Sequence, residues 1–227
     1  MRLTINETIR RALIPLRDDE RHLLEQSVIA EGIRDPLVVW RRDDELILLD
    51  GHHRYELAQK HGLEFSTVEM EFDDATDAVQ WVLQNQLARR NLTDEQRALI
   101  IGRLYNQVKQ KTLQRFSDHG EKFSPWSGSH ATSRYVASLH GVSYRTVQNA
   151  AEFAKAVDAL AEVEPKAAEA VLLGKVPDAK TALPKVEPEL LPKVAERIAQ
   201  GKAHPVKDAA ERIRRSDGTN SSSGNEN

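Results

Sequence analysis

Strand-forming segments are confined to the first third of this 227-residue chain, and this most constrains its fold. Residues 36–40 (PLVVW) and 45–50 (ELILLD) are rich in Val, Ile and Leu, and a charged turn joins them. They predict two neighbouring strands. Residues 65–72 alternate apolar and polar side chains, which is typical of a half-buried strand. Because no such run follows Asp73, we expect an α+β first domain and an all-α remainder.

Helical periodicity and helix-end signals account for much of the rest. Residues 18–31, 52–61 and 75–86 have apolar side chains at helical spacing or glycines just beyond their ends. Thr93 and Gln96 form a capping-box pattern before another helix. A loop rich in Ser, Gly and Pro is predicted for residues 116–130, and a pair of helices for residues 131–153.

Composition excludes several classes of protein. The chain has no Cys, which rules out disulfides, thiol catalysis and Cys-ligated metal sites. It has neither an apolar run of about 18 residues nor a signal-peptide-like amino terminus, so we expect a cytoplasmic protein. Since the net charge is −3, any surface that binds nucleic acid must be a local basic patch.

The segment LLDGHHRYELA, residues 48–58, carries the first chemical signal. A predicted strand ends at Asp50, Gly51 permits a tight turn, and a helix begins at once with His52, His53 and Arg54. Backbone N–H groups at a helix start, together with a guanidinium, favour an anion such as phosphate. The alternative is that Asp50 merely caps the helix and the basic side chains face solvent. A metal site at His52 and Glu56 would have too few ligands.

Residues 133–152 fit the pattern of a helix-turn-helix. Ala137 is small where the helices would cross, Gly141 suits the turn, and Ser143 suits the N-cap of the second helix. Val142 and Val147 would fill the space between the helices. Side chains around this turn suit base edges and phosphates, and the expected DNA contacts are Arg134, Ser143, Tyr144, Arg145, Thr146, Gln148 and Asn149. The alternative is a plain helical hairpin with a polar outer face.

The last third contains an internal repeat. Residues 165–183 align with residues 192–210 at a period of 27 residues, which predicts two stacked helical pairs. Residues 216–227 contain no apolar side chain, so we expect them to be disordered.

The segments at residues 27–40 and 48–58 resemble the N-terminal domain of ParB-type partition proteins and the related sulfiredoxins and free serine kinases. In ParB the matching turn holds nucleotide phosphates through a Gly-x-Arg-Arg sequence. The resemblance therefore implies nucleotide contacts from Asp50, Gly51, His52, His53 and Arg54. Sulfiredoxins carry their catalytic Cys where this chain has His52, so their chemistry is excluded.

Residues 83–98 resemble the second nucleotide motif of ParB. The resemblance implies further nucleotide contacts from Asn85, Gln86, Arg89 and Arg90. The Glu with which the family assists its metal and triphosphate is replaced here by Asn85.

The order of these segments is that of ParB proteins, and the resemblance covers about residues 5–160. It is closest to the shorter ParB-like proteins of plasmids and phages. The expected layout is a ParB/sulfiredoxin-like nucleotide-binding domain (1–92), a helical domain with the helix-turn-helix (93–160), a helical repeat region (161–215) and a disordered tail (216–227).

We therefore expect a ParB-like DNA-binding protein in plasmid or phage partition, replication control or transcription. CTP or ATP would be its ligand or switch, with the need for Mg²⁺ left open. The expected partners are double-stranded DNA, a ParA-type ATPase and a second copy of the chain, at the nucleoid or a plasmid and without a membrane.

The rival hypothesis is an enzyme. It would be a ParB-like phosphotransferase or nucleotide hydrolase with Glu31, His52 or His53 as base, or a nuclease. A small-molecule kinase has no use for a helix-turn-helix, so we expect a binding protein first, with weak NTPase activity left open.

Overall fold

The computed structural model describes residues 2–89, 91–119, 130–201 and 205–220. The chain divides into two compact units, Met1–Ala88 and Arg89–Asn227. Among the described residues, no helix combines the length and the apolar character needed to cross a membrane.

The first unit combines helices with a small sheet, as the strand-like segments predict. Its elements are α1 (Glu7–Ala12), α2 (Asp18–Glu31), β1 (Leu37–Arg42), β2 (Glu45–Asp50), α3 (His52–His61), β3 (Thr67–Met70) and α4 (Ala75–Leu87). The strand order is β2-β1-β3, with β1 antiparallel to β2 and parallel to β3. Apart from α1, each of these elements agrees with its predicted segment to within about two residues at either end.

Tyr55 ties α3 to the sheet and to the start of the chain. Its ring packs in a buried cluster with Leu37 and Leu48, and it meets the ring of Phe65 edge-on at 5.6 Å. Its hydroxyl oxygen accepts a hydrogen bond from the backbone N–H of Leu3 at 3.0 Å. This contact places α3 on one face of the sheet, with its first turn at the end of β2.

Gln86 ties α4 to the end of α1. The side chain is 1% exposed, and its Oε1 accepts a bond from the N–H of Ile14 at 2.6 Å. Its Nε2 donates to the carbonyl of Ala12 at 2.9 Å. The amide thus provides hydrogen-bond partners for the backbone where the chain leaves α1. This buried polar side chain therefore has a structural role.

The second unit is all-α in its described residues. Its elements are α5 (Asp94–His119), α6 (Ala131–His140), α7 (Tyr144–Val163), α8 (Pro165–Leu172), α9 (Ala179–Ala182), a 3₁₀ helix (Leu183–Lys185), α10 (Leu191–Ala199) and α11 (Val206–Asn220). The predicted capping box at α5 is confirmed, because Thr93 and Gln96 each accept the other's backbone N–H, at 3.0 and 2.9 Å.

Two predictions of irregular chain differ from the structure. Helix α5 continues to His119, so residues 116–119 are helical rather than looped, and residues 120–129 lie outside the described residues. Helix α11 continues to Asn220, so residues 216–220 are helical rather than disordered, and residues 221–227 lie outside the described residues. In both places a helix continues into residues whose polar composition is typical of irregular chain.

The two repeated segments have matching helix ends. Pro165 and Pro192 lie in the first turns of α8 and α10, where a missing N–H costs nothing. Both helices are followed by a glycine with positive φ, Gly174 at 70° and Gly201 at 66°. The carboxylate of Asp178 accepts bonds from the first N–H groups of α11, at Val206 and Lys207.

Gly102 allows α5 and α7 to pack at very short range. A Cβ atom at this position would collide with the carbonyl oxygen of Ala150 and lie 2.8 Å from the Cβ of Ala154. Both alanines are buried on α7. The α5–α7 contact therefore depends on the absence of a side chain at Gly102.

We predict that Gly102→Ala destabilises the protein by about 1–3 kcal/mol, because the added methyl forces the two backbones apart. This loss exceeds the gain of about 1 kcal/mol in helix propensity that Ala brings. Chemical unfolding measures the difference. Gln110→Ala, on the exposed side of the same helix, is the matched control and should change stability by less than about 0.5 kcal/mol. Equal stability of Gly102→Ala and the wild type would contradict the tight α5–α7 contact.

Candidate functional site

The turn between β2 and α3 is built around Gly51. This glycine has φ 93° and ψ 23°, and it is the N-cap of α3. A Cβ on it would lie 2.5 Å from Cδ2 of Leu37 and 3.1 Å from Nη2 of Arg54. The predicted strand–turn–helix is thus confirmed, and its turn needs glycine for both conformation and space.

Arg54 holds this turn together. Its Nη2 donates to Oδ2 of Asp50 at 2.9 Å, and its Nη1 donates to the carbonyl of Asp35 at 2.9 Å. The side chains of Arg54 and Asp50 are only 19% and 18% exposed, so water screens this ion pair weakly. The guanidinium that sequence motifs assign to a ligand is engaged with the protein itself.

His52, the first residue of α3, is the most unusual polar group of the first unit. It is 6% exposed, and neither Nδ1 nor Nε2 has a hydrogen-bond partner among the described residues. Burial lowers the pKa of His52 to about 4, so the ring is neutral at pH 7.

His53, the next residue, faces the acidic side of the same turn. Its Nδ1 lies 3.8 Å from Oε2 of Glu56, and that same oxygen lies 3.4 Å from Nη2 of Arg21 on α2. Arg10 on α1 also acts on this site, because its positive charge helps to lower the pKa of His52. The sequence gives no local signal for Arg10, which lies outside the motif.

The residues of the second predicted nucleotide motif lie at the end of α4 and just beyond it. Asn85 is exposed in the last turn of α4, and Gln86 is committed to Ala12 and Ile14. The two hydrogen bonds of Gln86 therefore join α4 to the end of α1. Arg89 is the first residue of the second unit, and Arg90 lies outside the described residues.

Glu31, a candidate base in the enzyme hypothesis, is the last residue of α2. It is exposed and forms an ion pair with Arg34, one helical turn along the chain. Within the described residues, no group of three His, Asp or Glu side chains is placed to hold a metal ion.

Helices α6 and α7 are joined by three residues, and the local features predicted there are present. Gly141 has φ 65°, Ala137 and Val147 are buried, and Val142 is half-buried. Oγ of Ser143 accepts a bond from the N–H of Thr146 at 3.0 Å, which confirms Ser143 as the N-cap of α7.

Aromatic, cationic and polar side chains lie together at the start of α7. We call these five residues the Tyr144 cluster: His130, Arg134, Tyr144, Arg145 and Gln148. The guanidinium carbons of Arg134 and Arg145 lie 5.7 and 6.0 Å from the centre of the Tyr144 ring. Such cation–π contacts orient both arginines. His130 lies 5.2 Å from the same ring, and its Nδ1 is 2.5 Å from Nε2 of Gln148.

His130 is the functional candidate that the sequence motif does not reveal, because it precedes the motif and meets Gln148 only in three dimensions. Thr146 and Asn149 are exposed beside the cluster. Arg103, a basic residue of α5, pairs with Asp158 at 2.5 Å.

No protein-family model matches the chain, and no curated protein matches it in sequence. Among solved structures, a pNOB8-like ParB N-domain is similar, with 17% identity over 87% of this chain and 72% of that chain, and a TM-score of 0.51.

Two structures of C-terminally truncated ParB from Caulobacter crescentus are less similar in fold. The one complexed to the centromeric parS site has 17% identity over 94% of this chain and 95% of that chain, with a TM-score of 0.41. The one complexed with CTP-gamma-S has 17% identity over 86% and 93%, with a TM-score of 0.34. The comparison of folds therefore rests on the pNOB8-like domain, and by that comparison this chain has the ParB-like fold.

Proposed function

We propose that this chain is a ParB-like protein whose second unit binds double-stranded DNA and whose first unit binds a nucleotide. The observation that carries the proposal is the α6–α7 pair, in which a three-residue turn sets the polar start of α7 beside Arg134. In this proposal α6 and α7 form a helix-turn-helix, and α7 enters the major groove, which is wide enough for a helix.

The Tyr144 cluster supports this role. Arg134 and Arg145 both contact the Tyr144 ring, and Nε of Arg145 also donates to the Tyr144 hydroxyl. None of the bonds described above joins either arginine to a carboxylate. Arg145 would contact a base edge, Arg134 a backbone phosphate, and Asn149 a neighbouring base. The contact with His130 would hold Gln148 in one rotamer before DNA arrives, which lowers the entropy cost of binding.

The turn at Gly51 supports the nucleotide site. Phosphoryl oxygens suit the amino terminus of α3, where the first N–H groups have no partner within the helix. The missing Cβ of Gly51 permits close approach, and the unpaired ring of His52 offers a donor. CTP or ATP fits these features. The need for Mg²⁺ stays open, because Asn85 replaces the carboxylate that the family's second motif provides.

The biological role follows from these two sites. A DNA-binding protein with a nucleotide ligand suits plasmid or phage partition, replication control or transcription. A ParA-type ATPase and a second copy of the chain would be its partners, and the 27-residue repeat would form a helical repeat region. The nucleotide would act as ligand or switch rather than as an enzyme's substrate.

Arg145→Ala should weaken binding to a selected DNA site by about 1–3 kcal/mol, roughly 5- to 150-fold, because a base-edge contact is lost. Binding to random duplex should change much less. Titration of labelled DNA measures both. Lys155→Ala is the matched control, since it removes the same charge from the same helix where Lys155 pairs with Glu152.

The control should alter both affinities by less than about twofold. If Arg145→Ala and Lys155→Ala weaken selected and random DNA to the same extent, α7 contributes only charge and the base-reading role is wrong.

Gly51→Ala should reduce nucleotide affinity by about tenfold or more, because the new methyl meets Leu37 and Arg54 and disturbs the turn. Gly62→Ala is the matched control. Gly62 also has positive φ, 64°, but a Cβ there would meet nothing within 4 Å. Both variants therefore carry the strain of a left-handed residue, about 1–2 kcal/mol, and only Gly51→Ala adds the collision.

Fluorescent-nucleotide titration measures the loss of nucleotide affinity, and thermal unfolding measures the loss of stability. Similar nucleotide affinities for the two folded variants would contradict a phosphate site at Gly51.

A further inference from the structure

The ring of His52 poses a problem that the fold alone does not explain. Only 6% of its surface is exposed, and both ring nitrogens lack hydrogen-bond partners among the described residues. Buried polar side chains almost always have a hydrogen-bond partner, and an unsatisfied one costs about 1–3 kcal/mol. Such a group is expected where a ligand completes the bonding.

The position of His52 points to the kind of ligand. It is the first residue of α3, a helix of ten residues whose N-cap, Gly51, supplies no side chain. The amino end of a helix favours negative charge through its unpaired N–H groups and its dipole. The helix start and the unpaired ring are independent observations, and they converge on an anion.

Arg54 is not the side chain best placed to respond to that anion. Its guanidinium already donates to Asp50 and to the carbonyl of Asp35. Moving the guanidinium toward a ligand would break the hydrogen bonds that hold the turn together. The ring of His52 forms no hydrogen bond with the described residues that a ligand would have to break.

The charges around His52 come from three elements. Asp50 at the end of β2 and Glu56 on α3 favour the protonated ring, whereas His53 on α3 and Arg10 on α1 oppose it. Burial has the largest effect and lowers the pKa of His52 to about 4. The neutral ring has one donor and one acceptor, so it suits a dianion only in part.

We propose that His52 takes up one proton from solvent when a phosphoryl group or another tetrahedral dianion binds at the amino terminus of α3. The inference rests on the proposed nucleotide site and adds its regulation by pH. The protonated ring has two N–H donors, and the dianion provides the opposite charge that compensates its burial. No covalent bond forms or breaks.

The sign of the pH dependence follows from linkage. The free ring has a pKa of about 4, and the bound dianion raises it. Between these two values the complex holds one proton more than the free protein, so affinity rises about tenfold for each pH unit of acidification. Below pH 4 the free ring is also protonated, and the dependence on His52 disappears.

The direct measurement is the NMR spectrum of histidine rings in the full chain at pH 6, with and without CTP. The signal of His52 is assigned by its loss in His52→Gln. We expect a neutral ring in the free protein and a protonated ring in the complex. The protonation state is observed in the wild type, and His52→Gln is needed only to assign the signal.

Sulfate provides the second measurement, because it stays dianionic across this pH range and contributes no proton of its own. Wild-type affinity for sulfate should rise by up to tenfold from pH 6 to pH 5, where the bound ring is protonated and the free ring is neutral. His52→Gln, which keeps a neutral donor, should bind sulfate with a flat pH profile. His22→Gln, an exposed histidine on α2, is the matched control and should retain the wild-type slope.

The outcomes are distinct. If CTP binds and the His52 ring stays neutral, or if the sulfate profile of His52→Gln keeps the wild-type slope, the inference is overturned while the nucleotide site stands. If CTP and ATP both fail to bind at any pH from 5 to 8, the nucleotide part of the proposed function is wrong and the inference falls with it.

Discussion

The bonds of one half-buried guanidinium hold the turn between β2 and α3 in the first unit. Arg54 joins the last residue of β2, Asp50, to the chain that enters β1 at Asp35 and Pro36. Because Arg54 lies in the first turn of α3, its bonds also fix the start of that helix relative to the sheet. A charge-assisted bond at 2.9 Å, held at 18–19% exposure, resists solvent competition better than a surface pair. The position of His52 and the turn at Gly51 both depend on these bonds of Arg54.

The two units obtain their proposed binding surfaces in the same way, from a helix start held by contacts distant in sequence. In the first unit, Arg54 holds the start of α3 by its bond to Asp35, and Gln86 joins α4 to the end of α1. In the second unit, Gly102 permits the close approach of α5 to α7, and α7 then presents Arg145 at its exposed start. A rigid support beneath a polar surface limits the entropy that binding must overcome.

Local signals in the sequence predict most elements and few of the contacts. Hydrophobic periodicity and caps suffice for α2, β2 and the Thr93 capping box, because these depend on neighbours within a few residues. The partners of Gln86 are 72 and 74 residues away, so no local pattern assigns its role. The bond of Arg54 to Asp35 and the contact of His130 with Gln148 are hidden for the same reason. Gly102 does have a signal, a glycine inside a helical pattern.

We propose that this chain recognises a particular DNA sequence and that a nucleotide bound at the Gly51 turn modulates this recognition. Sequencing of the genomic or plasmid DNA fragments that the chain retains, with and without CTP or ATP, tests both parts of the proposal. We expect enrichment of one short palindrome, with retention that changes when the nucleotide is added. A flat profile under every condition would contradict the proposal.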